Sequence, residues 1–183
     1  MVLLESKALP LGSPIIPFTL PDPEGNQHSD SDYQDRKVLV VIFMCNHCPY
    51  VQAVHERLTN LQSQYDQNVV QFIGINANDW ENYPDDSPEK MVETIEDWSI
   101  NFPYLYDESQ ETAKAYQAQC TPDIYVFDTD RKLAYHGRID DNWQEAEKVT
   151  RQELKTAIDA LVAGEKPSEE QYPTIGCSIK WRE

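Results

Sequence analysis

Residues 38–44, Val-Leu-Val-Val-Ile-Phe-Met, are unbroken apolar sequence rich in β-branched side chains, which predicts a strand buried on both faces. The pattern then changes period. Val51, Val54, Leu58 and Leu61 recur three or four positions apart and predict a helix with one buried face. Pro49 suits the first turn of that helix, where a missing N–H costs nothing. His55 falls at the edge of the stripe and is expected to be half-buried. Residues 69–76 predict a second strand and 76–88 a polar loop. A helix over 88–98 faces inward through Met91, Ile95 and Trp98, and a short helix is expected over 109–118. Residues 123–128 predict a third core strand, with 132–139 as its hairpin partner across a turn at 128–131. In the last helix Thr150 and Glu153 have capping-box spacing, Leu154, Ile158 and Leu161 give the stripe, and Gly164 can end it.

Strands alternating with helices predict a sheet covered on both sides, to which the hairpin adds antiparallel strands. A chain of 183 residues fits one domain with a real core, here about residues 36–163. Residues 165–183 begin like a linker but carry Ile175, Cys177, Ile179 and Trp181, too apolar for a disordered tail, and are expected to pack back on the domain.

Charge narrows the function classes. With 32 acidic against 15 basic residues, the chain lacks the basic footprint that nucleic acid or an anionic membrane surface requires. The opening residues carry Glu5, Pro10, Pro14 and Pro17 in place of a basic start and an apolar core, and no stretch approaches the ~18 apolar residues of a membrane span. A cytoplasmic location is expected. In that reducing compartment, four cysteines point to catalysis or metal binding more than to a structural disulfide frame.

Cys45 and Cys48 lie three apart, between the apolar strand and the Pro-led helix. A thiol attacks as its thiolate. Cys45 is expected at or just before the helix N-terminus, where unpaired N–H groups and the helix dipole stabilise an anion, with Cys48 about one turn inside as the resolving thiol. His47, between them, would add positive charge if protonated and make the pair more oxidising. Two alternatives stay open. Free buried cysteines are commonly inert packing groups. A zinc site needs four ligands, and Cys120 and Cys177 are isolated in sequence, so no metal and no cofactor is assigned.

The CxxC between strand and helix, together with "CTPDIYVFD" from Cys120, resembles the thioredoxin-like superfamily. "LGSPIIPFTLPDPEGN" is similar to the N-terminal extension of its peroxiredoxin-like branch, the alkyl hydroperoxide reductase/thiol-specific antioxidant proteins. "NANDWENYPDDSPEKM", "FPYLYDESQETAKAY" and "GCSIKW" extend the likeness over nearly the whole chain. The resemblance implies a three-layer α/β/α sandwich with a mixed central sheet, an N-terminal extension and a C-terminal tail. It makes Cys45 the attacking thiol and Cys48 the resolving one, and it makes Pro122, after Thr121, a cis-proline facing the pair. Departures are informative. Met44 stands where thioredoxins usually have Trp, and Asn46-His47 where they have Gly-Pro. Leu39 replaces their buried Asp. Peroxiredoxins align their peroxide-attacking cysteine with Cys48, with Thr and Pro where this chain has Cys45 and Val41, and their arginine falls near Thr121. The expected function is therefore a thiol–disulfide oxidoreductase with a protein or small-thiol disulfide substrate and a thiol reductant. The alternatives are a hydroperoxide-reducing thiol peroxidase and a non-enzymatic redox-sensing or metal-binding module. Cys177 and Cys120 are candidate further redox thiols.

Overall fold

The computed structural model describes residues 3–5 and 9–182. In chain order the elements are β1 (Leu3–Glu5), β2 (Thr19–Pro21), β3 (Gln27–Ser29), β4 (Val38–Phe43), α1 (Pro49–Gln62), β5 (Val70–Asn76) and α2 (Pro88–Asp97). They continue with β6 (Tyr104–Tyr106), α3 (Glu111–Ala115), β7 (Cys120–Thr121), β8 (Asp123–Phe127), β9 (Leu133–Gly137), α4 (Glu153–Val162) and β10 (Ile175–Ser178). The central sheet runs β6-β5-β4-β8-β9. β4, β5 and β6 are parallel, and β8 and β9 add antiparallel strands at the other side, the mixed thioredoxin-like sheet.

β4 is central, and all six of its residues are buried. Val38, Val40 and Ile42 face the α1 stripe of Val51, Val54, Leu58 and Leu61, together with Leu154 and Ile158 of α4. Leu39, Val41 and Phe43 face the other way, onto Tyr116, Tyr125 and the N-terminal extension through Phe18, Leu20 and Tyr33. The second outer layer is thus largely extension, with one five-residue helix, α3. Truncating Leu58, which is fully buried, to Ala would cost about 2–5 kcal/mol. Among the described residues no helix is long and apolar enough to cross a membrane.

Two helix ends differ in kind. α4 closes as expected at Gly164, whose φ of 80° favours glycine. There the Glu165 and Gly164 N–H groups return to the Ala160 and Leu161 carbonyls. Its start departs from expectation, because the N-cap is Gln152 and there is no capping box. The Thr150 hydroxyl and the N–H groups of Thr150 and Arg151 all bond Asp141 instead.

The tail forms β10, which pairs antiparallel with β7 on one side and with β1 on the other. Beyond it, Ile179 is buried, and the Lys180 carbonyl accepts from the Asp79 N–H and from Gln110 Nε2.

Candidate functional site

β4 delivers the chain to Phe43, and Met44 continues the ladder through its N–H to the Ile75 carbonyl, 2.9 Å. The next four residues turn into α1. Asn46 holds this turn. Its N–H bonds Asp86 Oδ1 at 2.8 Å, its side-chain N–H the Asp85 carbonyl at 2.9 Å, and its Oδ1 accepts from the Tyr104 hydroxyl at 2.9 Å. The helix starts at Pro49, so Cys48 is its N-cap and the Cys48 carbonyl accepts the first helical bond from Gln52. This corrects the expectation that Cys45 flanks the helix start with Cys48 a turn inside. The proline ring tolerates the first helical position but not the interior, which fixes the start one residue after Cys48.

Both thiols are covered, Cys45 at 1% and Cys48 at 0% exposure. All four cysteines are buried. The Thr121–Pro122 bond is cis. Thr121 touches both sulfurs: its hydroxyl lies 3.4 Å from Cys45 Sγ, and its carbonyl accepts from the Cys48 thiol at 3.1 Å. Cys48 also shares hydrogen bonds with the thiols of Cys45 and Cys177. When Cys48 ionises, the donors gathered round it stabilise the thiolate: the Cys45 thiol first, then the Thr121 hydroxyl, the Cys177 thiol and the Val51 N–H. Against the opposing effect of burial, they hold Cys48 down to about 5. Burial pushes the Cys45 thiol up, reinforced by Cys48 and by the charge of Asp86. The anion-stabilising contacts therefore collect on Cys48, where the sequence placed them on Cys45.

His47 Nδ1 lies 2.6 Å from Asp86 Oδ2. The bond raises the His47 pKa, against the lowering effect of burial. A protonated His47 would face the buried Asp86 carboxylate, so the pair would add little net positive charge to the site. Asp86 is fully buried and accepts from the Asn46 and His47 N–H groups, from His47 Nδ1 and from Asn78 Nδ2. Sequence reading missed Asp86. It sits in a loop with Asp85 beside it, and nothing local separates the two.

Ligand atoms of Cys45, His47 and Asp86 lie within 4.8 Å of one another. The set fits a metal poorly, because both Asp86 oxygens are already committed to N–H donors and a zinc site needs a fourth group.

The other candidates separate. Cys177 stands opposite Thr121 in the β10–β7 ladder and is pushed up to about 12, first by burial and then by Cys48. Cys120 is buried beside the Pro122 carbonyl, 3.9 Å away, and burial pushes its pKa well up. A small groove of about 70 Å³ reaches Pro122 between Tyr50, Trp143 and Ile175. A far larger cavity, about 560 Å³, lies between α4 and residues 166–172 and is lined by none of the cysteines.

The sequence pattern of the Redoxin family matches residues 10–158. No curated protein matches. Among solved structures, an uncharacterized conserved protein from Geobacillus kaustophilus is 44% identical with a TM-score of 0.93, over 100% of this chain and 97% of its own. A hypothetical protein from Sinorhizobium meliloti is 36% identical, also at 0.93, over 97% of this chain and 98% of its own. The thioredoxin domain of a thiol-disulfide oxidoreductase from Bacteroides vulgatus shares the fold at 17% identity and a TM-score of 0.61, over 70% of this chain and 89% of its own. A match over residues 10–158 takes in the strand, both site cysteines and the Thr-Pro turn, and the chain belongs to the Redoxin family, built on a thioredoxin-like fold.

Proposed function

We propose that this protein is a thiol–disulfide oxidoreductase that cycles a Cys45–Cys48 disulfide. The observation that carries the reading is Cys48 at the N-cap of α1, hydrogen-bonded to the Cys45 thiol and held against Thr121. Membership of the Redoxin family supports a redox role in general.

On this reading Cys48, at the helix N-cap and held by Thr121, attacks and Cys45 resolves, the opposite order to the one expected from sequence. The Cys48 thiolate attacks one sulfur of a substrate disulfide, forming a mixed disulfide and releasing the other sulfur as a thiolate. Cys45 then attacks the Cys48 sulfur, closing the Cys45–Cys48 disulfide and releasing the second substrate thiolate. His47, paired with Asp86 beside Cys45, is placed to give a proton to the first leaving thiolate and to take the Cys45 proton before the second step. It thereby fills the proton-handling role that thioredoxins give to the acid replaced here by Leu39. A dithiol reductant resets the site.

Repeated cycling tests the reading. Oxidised glutathione should convert the reduced protein to the Cys45–Cys48 disulfide, and dithiothreitol should restore the dithiol over many rounds. A pair that stays reduced at potentials that oxidise ordinary dithiols contradicts it.

One observation favours a second reading, a thiol peroxidase: the groups that would stabilise a thiolate gather on Cys48, where peroxiredoxins carry their attacking cysteine. The site holds Thr121 where they hold arginine. A hydrogen peroxide rate no faster than that of a free thiolate rejects this reading.

A further inference from the structure

Cys48 has two thiol neighbours, Cys45 before it in the chain and Cys177 on β10. The second comes from 129 positions away in sequence, and several independent features bring it there. β10 pairs antiparallel with β7, with Cys177 opposite Thr121 and Ser178 opposite Cys120. Thr121 is the same residue whose carbonyl holds the Cys48 thiol at 3.1 Å. Cys45, Cys48 and Cys177 belong to one buried cluster. Gly176 makes the approach possible. A Cβ there would meet the Thr121 carbonyl oxygen at 2.1 Å and the Pro122 nitrogen at 3.3 Å, so only a residue without a side chain lets the strand lie this close.

β10 is not a loose arm. Before it, Gln171 bonds the Ala134 carbonyl and the His136 N–H, and the Arg138 N–H bonds the Tyr172 carbonyl. After it, the Ile179 N–H bonds the Gln119 carbonyl, and Lys180 bonds Asn78. Cys177 is therefore a fixed part of the site.

We propose that Cys177 is a third redox thiol, and that Cys48 exchanges its disulfide partner between Cys45 and Cys177. The inference rests on the thiol–disulfide reading above. In the oxidised protein the Cys177 sulfur attacks Cys48 Sγ, the Cys45–Cys48 bond breaks, and a Cys48–Cys177 bond forms. The proton lost by Cys177 ends on Cys45, so one disulfide and one thiol stand on each side. The second cause of the raised Cys177 pKa, its contact with ionised Cys48, is absent once Cys48 is oxidised. The exchange frees Cys45 and ties β10 to the helix N-terminus, giving the site a second oxidised form in which the strand beside Thr121 is covalently locked. Cys120, turned to the Pro122 carbonyl, takes no part.

Disulfide mapping tests this. The full-length protein is oxidised with glutathione disulfide, alkylated, digested without reduction and read by mass spectrometry. The wild type should give both Cys45–Cys48 and Cys48–Cys177 peptides, with Cys120 alkylated throughout. Cys45→Ser should give Cys48–Cys177 as its sole internal disulfide. Gly176→Ala, which touches no thiol, should lower the Cys48–Cys177 share at least fivefold while Cys45–Cys48 still forms. The proposal is overturned if Cys177 stays alkylated in both the wild type and Cys45→Ser while Cys45–Cys48 forms normally. It is equally overturned if Gly176→Ala leaves the Cys48–Cys177 share unchanged. Failure of the wild type to form Cys45–Cys48 is a different result, and it removes the underlying oxidoreductase reading instead.

Discussion

Two buried aspartates each hold a histidine, Asp86 with His47 at 2.6 Å and Asp123 with His136 at 2.7 Å. Their surroundings differ. The His136 side chain is 2% exposed and stacks on Tyr125 with ring centroids 4.1 Å apart, while Asp123 takes a further bond from the Tyr125 hydroxyl. The His47 side chain is 25% exposed and shares a cluster with the Cys45 thiol. The same pair chemistry is thus sealed in one place and, in the other, open to solvent and close to a cysteine sulfur. On the proposed mechanism access, more than the hydrogen bond itself, decides which pair can exchange a proton.

The largest effect is expected at the sealed pair. His136→Ala leaves Asp123, whose pKa burial already raises, without its hydrogen-bonded partner. Losing one member of a buried pair costs about 3–5 kcal/mol, measurable as a shift in the urea unfolding curve of the reduced protein. The exchange rate per folded molecule should change less than about twofold. A large rate loss with unchanged stability would erase the contrast.

At the open pair the effects move to rate and pH. His47→Ala should slow disulfide exchange at neutral pH by about 10²-fold, the scale of a lost general acid–base group. Because His47 is partly exposed, its unfolding free energy should fall by less than about 1 kcal/mol. Asp86→Asn should lower the His47 titration midpoint, followed by NMR, since Asp86 is the first cause of its raised value. The sign is fixed by the direction of the shift. Stability from the pair is fully present below the unfolded value near 6.5, and it is lost as pH rises through the higher folded value. Asp86→Asn should flatten that dependence.

The contrast also marks what the sequence shows. β4 and α1 were legible because burial on both faces and burial on one face leave different periods, as in residues 38–44 against Val51, Val54, Leu58 and Leu61. The hairpin of β8 and β9 was legible from its turn. Asp86 was not, because its role comes from a loop folding onto residues forty positions earlier, and Asp85 next to it has the same chemistry. Pro49 did mark the helix start, but Cys45 was expected at that N-terminus, where the structure has Cys48 as the N-cap. At α4, Thr150 has capping spacing, yet Asp141 competes successfully for its hydroxyl and N–H. The three-stranded sheet of β1, β10 and β7 was also hidden, since strands of two to four residues carry too little periodicity to announce a partner.

A smaller effect sharpens the electrostatic side of the comparison. With Cys48 held to about 5, alkylation of the reduced protein should be nearly constant from pH 8 to 6 and fall around 5. An ordinary thiol already loses reactivity below about 8.5. A midpoint near that ordinary value would mean that the donors around Cys48 do not stabilise its thiolate.

The central claim is that Cys48 attacks and Cys45 resolves. Trapping the mixed disulfide tests it most directly. Serine variants in a Cys177→Ser background are mixed with a disulfide-bearing peptide, and the covalent adduct is read by mass. The account predicts that Cys45→Ser in this background accumulates the peptide on Cys48, because attack proceeds and neither resolving thiol remains, whereas Cys48→Ser accumulates none. Accumulation on Cys45 in Cys48→Ser, with none in Cys45→Ser, would contradict it and return the attacking role to the first cysteine.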